Sequence, residues 1–298
     1  MRPNGVTMSL PPRRPLALGL LAPLGLAAWL GGGGALASAA APPPRAESVA
    51  DKARRALDER DVPFESHAFF AAAAEGNLAL VDLFLEAGMP AATRDQWGGS
   101  ALLEASRNDR PEVVARLLAR GAKAGDAPGG EPSLTVAAES GSLGALKALL
   151  AAGADPDQPA DPAKGPGGTA LQRACAAEAW EAARLLLEGG ASPALAAPPL
   201  APPLFLAAES GHAPTVALLL GRGADPNARG IGGAAPIRLP VWNGHVEVVR
   251  LLLLAGADVT ADRAALLKGR PGQPVKPEIR ELLKTSPKPV APPKKPPR

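Results

Sequence analysis

Cys175 is the chain's one thiol, and His67, His212 and His245 are its only imidazoles; there is no tyrosine. A nucleophile with its base, or a metal site, needs such groups close together and in a recognisable spacing. Here no HExxH or CxxC spacing occurs, and the three histidines stand at least 33 residues apart. A lone cysteine also excludes a disulfide within the chain. Residues 230–235, GIGGAA, match a GxGxxA phosphate-binding pattern, but no buried strand precedes them, so the match is rejected as a nucleotide site. No catalytic residue, cofactor or metal ligand is assigned, and an enzyme is not expected.

The elements that place these residues repeat. Gly88, Gly121, Gly153, Gly190, Gly223 and Gly256 each close a leucine-rich stretch. Nineteen residues before each stands an apolar anchor: Phe69, Leu102, Leu134, Leu171, Leu204 and Ile237. The anchors step by 33, 32, 37, 33 and 33 residues, a period that denotes a solenoid of stacked units. Counting from each anchor, offsets 12, 15 and 16 are apolar in all six units, from Val81, Phe84 and Leu85 to Val249, Leu252 and Leu253. That i, i+3, i+4 spacing predicts a core-facing helical stripe. The closing Gly suits a helix end in the left-handed region. At offset 7, where a first helix should end, Gly76, Gly141, Gly211 and Gly244 alternate with Asp109 and Glu178. Cys175, at offset 4, occupies the slot of Ala73, Ala138 and Ala208, which predicts burial and packing rather than reactivity.

These units resemble the ankyrin repeat, a turn plus two antiparallel helices. The family's opening motif survives in GGSALLEASRNDR (98–110), GGTALQRACAAEA (167–179) and PPLFLAAESGH (202–212), and its ending in VALLLGRGADPN (216–227) and VEVVRLLLLAGAD (246–258). The resemblance implies an all-α ankyrin-repeat solenoid with short β-turn or hairpin loops, six repeats from about residue 64 to 261, and helical caps. Ser48–Arg60, with Ser48 as N-cap, is expected to cap one end, and residues 277–286 the other as a half-repeat, giving a repeat domain over 64–286. His212 and His245 are expected in structural roles. The enlarged loop 154–168 accounts for the 37-residue step.

Outside the repeats, residues 1–37 read as a signal peptide. Arg2, Arg13 and Arg14 precede the apolar run Leu16–Leu30, and Ala35-Leu36-Ala37 supplies an A-x-A cleavage site. The rival reading is an inner-membrane anchor through residues 16–41, which Pro23 and four consecutive glycines make less attractive. Residues 38–63 form a linker and cap, and 287–298 a Pro/Lys-rich tail expected to be disordered. The chain's net charge of +3 comes from its ends: residues 38–283 carry 24 basic and 29 acidic side chains, so a nucleic-acid partner is not expected.

The expected function is therefore an exported, monomeric, non-enzymatic protein of a bacterial periplasm, or a secreted one, that binds an unidentified protein. The alternatives are a membrane-tethered adaptor, or an accessory or inhibitory subunit of an exported enzyme. No stable membrane insertion is expected once the leader is cut. In ankyrin proteins the turn tips and first-helix ends line a concave, partner-binding face. Position by position, this resemblance implies binding by Gln96, Trp97 and Ile231 in turns, and by Arg107, Asn108, Glu139, Ser140, Glu209, Ser210, Trp242 and Asn243 on first helices. Trp180 is expected to pack, and Pro240 departs from an alanine present in the other five units.

The leader reading predicts a mature protein that begins near Ser38 and is released by osmotic shock. N-terminal sequencing and intact mass check it; a mass that retains residues 1–37 in the membrane fraction contradicts it.

Overall fold

The structure, a computed structural model, describes residues 47–270 and 272–285. The signal-peptide reading, the first part of the linker and the Pro/Lys-rich tail lie outside the described residues. Within them the chain is helical, and no strand forms. Antiparallel contacts are limited to isolated bridges such as Arg94 with Ser100 and Ala160 with Gly168.

Helix α1, Val49–Asp58, comes first, and its capping box (Ser48 with Asp51) satisfies the Asp51 and Ser48 N–H groups reciprocally. Six helix pairs follow: α2 (Ser66–Glu75) with α3 (Leu78–Glu86), α4 (Ala101–Arg107) with α5 (Pro111–Ala119), α6 (Ser133–Glu139) with α7 (Leu143–Ala151), α8 (Ala170–Ala176) with α9 (Trp180–Glu188), α10 (Pro203–Ser210) with α11 (Ala213–Gly221), and α12 (Arg238–Asn243) with α13 (Val246–Leu254). First helices pack against first helices and second against second, so two layers run along the stack, with α1 against α3 in the second.

The repeat anchors explain the packing. All six anchors are buried, as are the residues at offsets 12 and 15 of every unit. Offset 16 departs from the expectation: only Leu187 is fully buried there, and the other five leucines are half-buried. Successive helix positions turn by about 100°, so offset 16 sits at the margin of the stripe that offsets 12 and 15 centre. All six closing glycines have φ between 80° and 99°. The offset-7 residues are left-handed too, including Asp109 (φ 52°) and Glu178 (φ 58°), which carry the strain that Gly avoids.

Past the sixth unit the chain forms α14 (Arg263–Lys268) as well as α15 (Pro277–Thr285). The end is thus a short helix pair, not a half-repeat, because Leu266 supplies a buried anchor that the motif comparison passes over. Pro240 makes no kink inside a long helix. Helix α12 begins only at Arg238, so Pro240 falls in its first turn, where backbone N–H groups have no helical acceptor.

Asp109 has compensation that Glu178 lacks: its Oδ1 accepts the Ala145 N–H of the next unit at 2.9 Å. Glu178→Gly should therefore stabilise the protein by about 0.5–1 kcal/mol, whereas Asp109→Gly should not. Chemical denaturation of both variants is the check, and equal gains would contradict the assignment.

Candidate functional site

The chemistry-bearing residues are taken up by packing. Cys175 is fully buried, and desolvation pushes its thiol pKa up to about 12, so the thiolate needed for nucleophilic attack is suppressed. His212 is the N-cap of α11: its Nδ1 faces the Thr215 N–H at 3.4 Å and Thr215 Oγ1 at 3.0 Å. The Trp180 ring stacks on it, 4.5 Å between centres and 4° from parallel. His245 lies over Gly211 of the preceding unit, where an added Cβ would stand 2.5 Å from its Nδ1. His67 is exposed in the first turn of α2. Residues 230–235 form a tight turn around the 3₁₀ segment Ile231–Gly233, with Gly230 N–H donating to the Ala234 carbonyl. Among the described residues no group of three or more His, Cys, Asp or Glu side chains is placed to hold a metal ion. No helix among them is long and apolar enough to cross a membrane.

The residues expected at the partner face are distributed along the stack. In the turn before α4, Asp95 Oδ1 accepts the N–H groups of Trp97 (2.9 Å) and Gly99 (2.6 Å), which locks the loop around Gln96 and Trp97. Both side chains are exposed; Trp97 shows 79% of its surface. Ile231 opens its 3₁₀ turn. Arg107 and Asn108 are exposed at the end of α4, with Arg107 4.0 Å from Glu104 and its carbonyl accepting Ser142 Oγ at 3.0 Å. Ser140, Glu209 and Ser210 are exposed at the ends of α6 and α10. Asn243 is exposed and donates to the Glu209 carbonyl across one unit. These residues do not converge on one cavity; they form a strip of first-helix ends and turns.

Two placements differ from a simple exposed surface. Trp242 is half-buried against the core, with the Arg238 guanidinium 4.4 Å from its ring centre. Glu139 is held by the buried Arg173 of the next unit, which also lies 3.9 Å from Glu131. Sequence reasoning missed Arg173, because a charge at offset 2 shows no sign of burial until the neighbouring unit supplies its carboxylates. It also missed Gln172, fully buried, whose side-chain amide donates to the Leu200 and Ala201 carbonyls and accepts the Ala197 N–H. These bonds pin the proline-rich loop before α10 to α8.

The family model for "Ankyrin repeats (3 copies)" matches residues 68–160, 134–230 and 201–263. This chain is an ankyrin-repeat protein. An ankyrin repeat-containing protein of Treponema pallidum is 38% identical over 146 residues, covering 48% of this chain and 47% of that one. The ankyrin repeat domain-containing protein SAT10 of Stachybotrys chartarum is 38% identical over 122 residues, 40% of this chain and 6% of that protein. The chain thus spans less than half the length of the curated relatives it matches. Among solved structures, an Acinetobacter baumannii ankyrin repeat domain aligns with a TM-score of 0.58 at 27% identity, covering 64% of this chain and 99% of that one. The ankyrin repeat domain of Bcl-3 aligns at 0.57 and 28%, covering 72% and 97%. The human ASB11 domain, at 0.59 and 23% identity over 75% of this chain and 99% of its own, shares the fold. Ankyrin repeats generally serve as protein-interaction modules and are typically non-enzymatic.

Burial lowers the His212 pKa below its usual value, with Glu178 and Glu181 opposing more weakly. A depressed histidine pKa favours the neutral, folded form above the unfolded pKa of about 6.5, and that contribution is lost as pH falls through the folded value. Stability should therefore decline from pH 7 to 5, and His212→Asn, which keeps an N-cap acceptor, should flatten that decline. Urea titrations across this range check it; an unchanged slope would contradict the role given to His212.

Proposed function

We propose that this protein is an exported, non-enzymatic ankyrin-repeat protein whose turns and first-helix ends form a concave surface that binds another protein. Trp97 carries the proposal. A large apolar ring left mostly in water gains free energy when a partner covers it, and aromatic anchors of this kind dominate interface energetics. The Asp95 side chain fixes the backbone that presents the ring, so little ordering entropy remains to be lost on binding. Arg107, Asn108, Ser140, Glu209 and Ser210 extend the proposed surface along the stack as polar contacts. Export rests on the order of charge, apolar run and A-x-A site in residues 1–37.

Capture of partners from the native envelope, followed by affinity measurement on variants, tests this reading. Trp97→Ala should weaken binding by about 2 kcal/mol or more, while the melting temperature stays within a degree or so of the unaltered protein because the ring touches little. A variant that binds as before removes Trp97 from the surface, and one that melts early assigns the ring to packing instead.

A further inference from the structure

The end of the stack differs in charge from the rest. Residues 47–225 carry 15 basic and 24 acidic side chains, whereas residues 226–285 carry nine basic and five acidic. Three of those cations gather around Trp242. The Arg238 and Arg270 guanidinium carbons stand 4.4 and 5.4 Å from the centre of its ring. Lys276 Nζ donates to the Gly244 carbonyl at 2.9 Å, which holds the ammonium at the same rim. Its stem crosses Gly244 so closely that an added Cβ would meet Cε at 2.6 Å. Trp242, Asn243, Arg270, Pro274 and Lys276 line an open groove of about 420 Å³.

The groove is electrostatically incomplete. Seven arginines, Arg116 and Arg184 among them, pair with carboxylates, whereas among the described residues Arg238, Arg270 and Lys276 all lack one although they stand around a single ring. Trp242 Nε1 is buried with no hydrogen-bond partner. Neighbouring like charges cost free energy, and carboxylate oxygens relieve that cost. A guanidinium lying on an aromatic face keeps its in-plane N–H donors free, the geometry that suits planar, bidentate carboxylates.

We infer that this groove binds an acidic segment of the partner protein through Arg270 and Lys276 in its lining and Arg238 beside it on the Trp242 ring. The inference rests on the protein-binding reading above and names the chemistry recognised at one end of that surface. A short acidic segment fits the charge pattern better than a nucleic acid, because a long polyanion running along the stack meets Glu209 and Glu139 in the preceding units.

The test uses the full chain and a fluorescein-labelled octaglutamate peptide, with anisotropy as the readout. Binding should be saturable, weaken as salt rises, and weaken at least about tenfold in the double variant Arg238→Gln, Arg270→Gln. Replacing Lys288, Lys294, Lys295 and Arg298 of the tail by Gln should leave the groove's affinity within about twofold. No binding, equal binding by the double variant, loss of binding on altering the tail, or tighter binding of an oligonucleotide of equal charge would each overturn the inference. Partner capture that still depends on Trp97 would then leave the broader protein-binding reading standing, which separates the two failures.

Discussion

Close approach of the first helices is the constraint on which the rest of this structure depends. At offset 3 stand Ala72, Ala105, Ala137, Ala174 and Ala207, all buried, and at offset 4 Ala73, Ser106, Ala138, Cys175 and Ala208 are equally inaccessible. Only small side chains let neighbouring helices pack with backbones this near each other, and a close-packed interior leaves no slack for larger ones. Cys175 is conscripted by this rule, which is why its thiol serves volume rather than chemistry. In the sixth unit Pro240 and Val241 take the two places, and the helix there begins late to admit them.

Because each unit touches only its neighbours, the polar groups that join units are also spaced by about one period. Arg54 donates to the Ala87 carbonyl, Arg110 to Ala74, Gln158 to Gly125 and Asn227 to Gly256, each satisfying a carbonyl at a helix end or turn of the adjoining unit. Ser192 N–H and Asp258 N–H return the favour to Asp157 and Asn227. Such an array is quasi-one-dimensional, so its stability is a sum of units and their interfaces. The outward ends of the first helices and the turns are then left free to carry Trp97 and the exposed polar residues without cost to the core.

Much of the fold was legible in the sequence because its causes are local or strictly periodic. The buried anchors, the stripe at offsets 12 and 15 and the left-handed closing glycines follow from spacing alone, and even Asp109 and Glu178 take the backbone that their position demands. The features that escaped depend on partners from another unit. Arg173 is buried only because Glu139 and Glu131 meet it, and Gln172 because a loop some 25 residues on folds over it. Helix α14 carries no family motif, so its one buried leucine gave no periodic signal. The candidate surface was legible as positions, but its electrostatics were not, since they arise from side chains brought together across units.

The nearest-neighbour account is tested most directly by placing one large residue at the tightest point and following each unit separately. Ala137→Leu, in the middle of the stack, should cost about 1–3 kcal/mol. Native-state hydrogen exchange should then show amide protection falling in α4, α6 and α8 and their paired second helices, while the first unit and the final helix pair keep theirs. Loss confined to α6 alone, or an equal loss from α1 to α15, would contradict the claim that stability passes from unit to unit through closely packed first helices.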